Sequence, residues 1–176
     1  MKKFILLLIA VLVIFFVSKN ASAEETIIPD TAIRFRVIAN SNTVYDQNVK
    51  IQVRNLVQNE LLSLIKDSTS IENTRNIILE HKEELYDKVS NKLQEIKYDK
   101  DFKIDYGFNH FPDKKYKGVT YKEGDYESLV ITLGDGNGDN FWCVLFPPLC
   151  MLEENDNTSE VEYKFFITEL IDKFFN

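Results

Sequence analysis

The apolar residues of this chain change their spacing at Asp101, and that change limits the folds it can adopt. Between Thr43 and Ile96 they recur every three or four residues, which is typical of amphipathic helices. From residue 102 to 146 they mostly alternate with polar residues, which is typical of strands. An earlier strand with one buried face is predicted over residues 33–40. Strands grouped apart from helices favour an α+β fold: a single domain with an N-terminal strand, two amphipathic helices, an antiparallel sheet and a C-terminal helix.

The ends of the helices are marked by capping residues. Thr43 begins the first helix, which runs to about residue 65, and the pair Thr69 and Glu72 predicts the start of the second, which runs to about residue 96. The glycine-rich stretch 134–139 between two strands predicts a hairpin turn. We expect the aromatic C-terminal helix to pack on the core, and Phe165 and Phe175 lie off its apolar side, so transient contact with a partner or a membrane is an alternative.

The N-terminus has the three parts of a secretory signal. Lys2 and Lys3 precede fourteen apolar residues, and the small residues 21–23 follow. A permanent membrane helix needs about 20 apolar residues, which favours cleavage after Ala23. The predicted organisation is therefore a signal peptide over 1–23, an α+β domain over 24–152, and a polar linker with an amphipathic helix over 153–176.

The charge of the chain argues against several classes of partner. Its formal net charge is −7, and removal of the three lysines in the signal takes the mature chain to about −10. Nucleic acid is therefore not expected as a partner, because backbone phosphates attract basic proteins. Anionic membrane surfaces are disfavoured for the same reason.

Both cysteines lie in the stretch NFWCVLFPPLC, which spans residues 140–150. Disulfides form in secreted proteins, so Cys143 and Cys150 are expected to form one. Fully extended, the intervening chain would hold them about 23 Å apart, so it must turn back at Pro147 and Pro148. The alternatives are a reactive thiol at Cys143 and a metal site, which would need more ligands than the two histidines supply readily.

The two histidines are weak catalytic candidates. His81 falls on the apolar side of the second helix, where a packed and hydrogen-bonded side chain is expected, and His110 lies in line with the Phe108 side of a strand. The sequence contains no nucleophile-elbow motif and no phosphate-binding glycine loop. We therefore expect no enzyme activity, no metal, no cofactor and no small-molecule substrate.

Two stretches together resemble the stage II sporulation protein R family of endospore-forming bacteria. They are RFRVIANSNTVYDQNVKIQVRN, beginning at Arg34, and YESLVITLGDGNGDNFWCVLFPPLC, beginning at Tyr126. The resemblance covers residues 33–152, and the family usually has two adjacent tryptophans where this chain has Phe141 and Trp142. The matching positions are Asn40, Asp46, Gln47, Lys50, Arg54, Gly134, Gly138, Asn140, Trp142, Cys143, Pro147, Pro148 and Cys150.

The resemblance implies a signalling protein. Family members are exported from the forespore into the space between the forespore and mother-cell membranes. There they activate a membrane-embedded aspartic protease, which cleaves the pro-form of the early mother-cell sigma factor, sigma-E. The expected partner is the extracytoplasmic part of that protease.

Candidate residues for contact with the partner lie at two places: Asn40, Asp46 and Gln47 in the first turn, and Asn140, Phe141 and Trp142 near the cysteines. A purely structural role for Asn40 and Asp46, capping the first helix and shaping its turn, remains open. The alternative functions are a secreted envelope-binding module and a secreted hydrolase that uses Cys143.

Overall fold

The computed structural model describes residues 28–116, 119–152 and 160–175. The predicted signal peptide and the polar segment 153–159 lie outside the described residues. The elements in chain order are β1 (Ile33–Ile38), α1 (Val44–Ile65), α2 (Ile71–Glu95), β2 (Phe102–Phe111), β3 (Lys114–Tyr116), β4 (Val119–Tyr121), β5 (Gly124–Leu133), β6 (Asn140–Phe146), a short 3₁₀ helix (Leu149–Leu152) and α3 (Glu160–Phe175). The prediction of a single α+β domain is confirmed.

The main sheet has the strand order β2-β5-β1-β6, and β3 and β4 form a separate two-stranded sheet. β5 is antiparallel to β2 and parallel to β1, which is in turn antiparallel to β6. The prediction of an antiparallel sheet is therefore wrong for one pairing. The reason is geometric: β1 lies between two strands that run in opposite directions, so it must be parallel to one of them. The segment 134–139 is for the same reason not a hairpin turn, because β5 and β6 are separated by β1.

The main core lies between α1, α2 and one face of the sheet. Its most deeply buried members come from both layers: Phe35, Val37, Val53, Val57, Leu61, Ile78, Val89, Leu129, Ile131 and Leu145. The Thr43 side chain accepts a hydrogen bond from Asp46 N, as predicted for the start of α1. The cap of α2 is Ser70, which accepts from Asn73 N; the prediction of Thr69 was wrong by one position.

The opposite face of the sheet is also covered, which corrects the prediction that β1 has a single buried face. Arg34 projects from this face and is only 2% exposed, with its guanidinium carbon 3.3 Å from the centroid of the Tyr126 ring. Among the described residues, none of its three guanidinium nitrogens has a hydrogen-bond partner. Burial lowers the pKa of Arg34, and the nearby Tyr126 opposes that shift. Contact with aromatic rings therefore replaces the hydrogen bonds that a buried guanidinium usually makes.

The C-terminal helix α3 packs against the domain, as expected. Ile167 is fully buried, in a cluster that includes Val144 of β6. Phe175 also packs, with its ring centroid 6.1 Å from that of Phe146, although the sequence placed it off the apolar side. Phe165 and Phe166 are 66% and 43% exposed. The contact face is therefore rotated from the one predicted, which included Phe166.

Candidate partner-binding site

The turn after β1 and the turn before β6 are joined by hydrogen bonds. Gly138 N donates to Ala39 O at 2.8 Å, and Asn137 N donates to Asn40 O at 3.0 Å. The Asn40 side chain adds a further bond, because its Oδ1 accepts from Asp135 N at 3.0 Å. We call this pair of turns, residues 39–43 and 134–139, the junction. It brings all six candidate contact residues to one end of the sheet.

Asp46 is the buried acceptor of the junction. Its side chain is nearly inaccessible, with 5% relative exposure. Oδ2 accepts hydrogen bonds from Ser41 Oγ and, at 2.8 Å, from Asn40 Nδ2. These bonds, led by the one from Ser41, hold the pKa of Asp46 below its ordinary value. The side chains of Asn40 and Asp46 are thus used inside the protein.

Gln47 and Lys50 connect the junction to α1. Gln47 Nε2 donates to Ser41 O at 2.9 Å, and its Oε1 accepts from Lys50 Nζ. Lys50 Nζ also donates to Asp139 O at 3.2 Å. Burial lowers the pKa of Lys50, and the nearby cations Arg54 and Lys114 lower it further, while Asp139 opposes the shift. Lys50 is therefore held by neutral oxygens in a positively charged neighbourhood.

Two glycines allow the turns to approach. A Cβ on Gly138 would lie 2.6 Å from the carbonyl carbon of Ser41 and still closer to its oxygen. Gly134 has φ +54°, and a Cβ there would meet the side chain of Asn40. Any larger residue would force the turns apart, which explains why both glycines fall within the segment that resembles the family.

The Cys143–Cys150 disulfide is present, as predicted, with a Cα–Cα distance of 5.2 Å. The chain reverses through Pro147 and Pro148, and the Phe146–Pro147 peptide is cis. The side chain of Gln58 in α1 donates to Cys150 O at 2.8 Å, which anchors the loop. A bonded Cys143 sulfur is not available as the nucleophile that the hydrolase alternative requires.

Phe141 and Trp142 project from opposite faces of β6. The Phe141 ring centroid is 6.2 Å from that of Phe35 on the helix side, and the guanidinium carbon of Arg54 lies 4.8 Å from it. On the other side, the Trp142 ring centroid lies 5.1 Å from that of Phe111. The edge of the sheet therefore carries an aromatic side chain on each face.

Cations surround both aromatic residues. Lys114 Nζ and the guanidinium carbon of Arg36 lie 4.8 and 5.5 Å from the Trp142 ring. We call the set Arg36, Lys50, Arg54, Lys114, Phe141 and Trp142 the cationic edge. The sequence analysis named Lys50 and Arg54 only as family matches and missed Arg36 and Lys114, because these residues come from three elements that only the fold brings together.

Asn140 positions one of these cations. With its amide oriented to satisfy both neighbours, its oxygen accepts from Arg36 Nη2 at 2.7 Å and its nitrogen donates to Gly138 O at 3.2 Å. Beside it is an open groove of about 410 Å³, lined by Pro112, Asp113, Lys114, Asp139, Asn140 and Trp142. The indole Nε1 of Trp142 is buried and has no hydrogen-bond partner among the described residues.

The histidines lie away from this region's polar contacts. His81 is partly buried and its Nδ1 lies 2.9 Å from Ile77 O, as the sequence analysis expected of a packed side chain. His110 is exposed and lies 3.3 Å from Asp125 Oδ1. Within the described residues, no three His, Cys, Asp or Glu side chains are grouped so that they could hold a metal. The same part of the chain contains no helix long and apolar enough to span a bilayer.

Comparison with known proteins identifies the family. The family model described as stage II sporulation protein R matches residues 29–156. A curated relative, stage II sporulation protein R of Bacillus subtilis (strain 168), is 38% identical over 136 residues, covering 77% of this chain and 61% of the relative. The match thus spans about three-fifths of the relative's length. No solved structure matches the chain. The chain belongs to the stage II sporulation protein R family.

Proposed function

We propose that this protein is an exported sporulation signal that activates a membrane-embedded aspartic protease in the opposite membrane and so triggers cleavage of the pro-form of sigma-E. Family membership is the observation that carries the proposal. The Cys143–Cys150 disulfide supports it, since disulfides persist in oxidising compartments outside the cytosol. The proposed location is the space between the forespore and mother-cell membranes.

The geometry favours binding over catalysis. The junction uses its polar side chains for internal hydrogen bonds, whereas the cationic edge presents aromatic and charged groups at the border of the sheet. Aromatic residues and arginine are enriched at the centres of protein interfaces. We therefore place the contact surface at the cationic edge and its groove, including Asn140, Phe141 and Trp142. Asn40, Asp46 and Gln47 then act by holding that surface in place.

A binding partner can activate the protease only if it binds the active conformation more tightly than the inactive one. A rigid surface suits this task, because little conformational entropy is lost on binding. The two turns of the junction and the disulfide loop fix the two ends of β6. Such a surface selects one arrangement of the protease rather than adapting to both.

The test is reconstitution in a non-sporulating host that expresses the cognate protease and pro-sigma-E. Cleavage is expected when the full chain is expressed and is expected to be lost when residues 2–23 are deleted, which keeps the protein in the cytosol. A protease variant that is active without a signal serves as the control for protease competence. Failure of the full chain to induce cleavage beside that control contradicts the proposal and favours an envelope-binding module, for which the exposed Phe165 and Phe166 would be the first surface to test.

A further inference from the structure

The two edge strands of the main sheet differ in the side chains beside them. Among the described strands, β6 pairs only with β1 and β2 pairs only with β5, so each has one side without a strand neighbour. β2 carries an exposed lysine, Lys103, beside Asp105 at 3.9 Å, so its charges are mixed. β6 is bordered by the four cations of the cationic edge. An unpaired edge strand offers backbone N–H and C=O groups to another extended chain.

The cations at β6 are not neutralised by the protein's own acids. Among the described residues, no carboxylate lies within 4.0 Å of the charged groups of Arg36, Lys50 or Arg54. Their polar contacts are neutral: Arg36 donates to His110 O at 3.3 Å, and Arg54 Nη2 donates to Asn55 Oδ1 at 2.7 Å. A concentration of unneutralised cations is unexpected on a chain with a net charge of −7. It is complementary to an acidic partner.

Two carboxylates do line the groove, and their contacts turn them toward the protein. Asp113 Oδ1 accepts from Glu123 N at 2.6 Å. Asp139 Oδ1 accepts from Asn42 Nδ2 at 3.4 Å. The Trp142 indole N–H, in contrast, has no acceptor among the described residues, although its nitrogen is buried. A buried donor without a partner is costly, and a carboxylate or carbonyl oxygen from a ligand in the groove would satisfy it.

We propose that the free edge of β6 binds an extended, acidic segment of the partner protein, which adds to the sheet as a further strand. Side chains of a strand alternate between the two faces, so acidic residues of the segment meet Arg54 on the helix side and Lys114 and Trp142 on the other side. This inference deepens the proposed function, because it specifies the chemistry of the protease segment that the protein recognises. It assigns β6 and leaves β2 without a partner role.

The first experiment measures how cleavage depends on the amount of exported protein in the reconstituted host. The variant Arg54→Glu/Lys114→Glu is expected to need about tenfold more protein for half-maximal cleavage, since it replaces two attractive charge pairs by repulsive ones. The matched control Lys82→Glu/Lys103→Glu has the same change of net charge and is expected to behave as the wild type. Trp142→Phe, which keeps an aromatic ring and removes the N–H, is expected to need several-fold more protein.

Equal activity of the two charge-reversed variants would overturn the inference, as would a normal dose response for Trp142→Phe. Thermal unfolding of each purified variant provides the control for folding. If the Arg54→Glu/Lys114→Glu variant is destabilised, Arg54→Gln and Lys114→Gln are measured singly. Either single change is then expected to weaken activation by a few-fold, and wild-type activity of both would refute the binding of acidic groups.

The second experiment does not depend on the proposed function. Trp142 is the only tryptophan of the chain, so its emission reports directly on the groove. The exported protein is titrated with a blocked peptide of alternating glutamate and threonine, and with the same peptide carrying glutamine for glutamate. A saturable change of emission with the glutamate peptide alone, lost in Arg54→Glu/Lys114→Glu, is expected. No change with it, or an equal change with the glutamine peptide, overturns the inference even if cleavage is activated. A change only with phosphatidylglycerol vesicles would assign the edge to a membrane instead.

Discussion

Replacing Asp46 by alanine is expected to destabilise the fold. The substitution removes the acceptor shared by Asn40 Nδ2 and Ser41 Oγ at a site that is only 5% exposed. A hydrogen bond to a charged group contributes about 1.5 kcal/mol or more, so the loss of two costs about 3 kcal/mol. For a domain of this size each kcal/mol shifts the melting temperature by about 2–4 °C, which gives a fall of about 6–12 °C.

The assay is thermal unfolding of the exported protein at pH 7, followed by circular dichroism. Asn48→Ala is the matched control, because Asn48 lies in the same turn of α1 and is exposed. It is expected to change the melting temperature by no more than about 2 °C. A melting temperature of Asp46→Ala that stays near that of the control, together with lost activation, would refute the structural role and make Asp46 a contact residue.

The pH dependence gives a second readout for the same variant. Because the pKa of Asp46 is lowered in the folded protein, its ionised form stabilises the fold at pH values above the unfolded pKa of about 3.9. This stabilisation is lost as the pH falls through the folded pKa. The difference between wild type and Asp46→Ala is therefore expected to be largest between about pH 5 and 7 and to shrink below about pH 4. Glu127 also titrates with a lowered pKa, but it is present in both proteins and cancels in the difference.

Three further changes test other parts of the structure. Gly138→Ala is expected to lower stability by about 2 kcal/mol, because its Cβ would meet the backbone of the turn after β1, whereas Gly107→Ala, with open space around its Cβ, should cost less than about 1 kcal/mol; chemical denaturation measures both. Reduction of the Cys143–Cys150 disulfide is expected to cost about 2.5 kcal/mol in the chain-entropy model, measured as the shift in denaturation midpoint with and without dithiothreitol, and an unchanged midpoint would contradict it. Glu127→Gln is expected to cost about 2 kcal/mol near pH 7, since it weakens a bidentate contact with an arginine of α2, and this loss should diminish as the pH falls through the lowered pKa of Glu127.

The elements could be predicted from the sequence wherever one face meets the core. The spacing of Val53, Val57 and Leu61 defines α1, and the alternation of Leu129, Ile131 and Leu133 defines β5. Strand order could not be predicted in this way. Periodicity shows which face of a strand is buried, but it does not show which strand lies beside it, so the insertion of β1 between β5 and β6 left no mark in the pattern.

The site was predictable only in part. The stretch around Trp142 was identified by its composition and by its resemblance to the family, and the disulfide followed from cysteine number and compartment. Arg34 shows the limit of the method: a charged residue on the polar side of a strand normally faces water, yet it lies buried against Tyr126. Arg36 and Lys114 look like ordinary surface residues until β3 brings Lys114 over the same indole ring that Arg36 approaches.

The position of β1 in the middle of the sheet affects the order in which the protein can fold. β1 is the first strand to be synthesised, but its two neighbours end at residues 133 and 146. Until those residues emerge, β1 has no strand to pair with, and the sheet remains open along its centre. For a chain that crosses a membrane N-terminus first, this arrangement postpones sheet formation until almost the whole domain has passed through. The same connectivity that places β6 at the border of the sheet therefore keeps the chain unfolded, and able to be threaded through a narrow channel, for most of its transit.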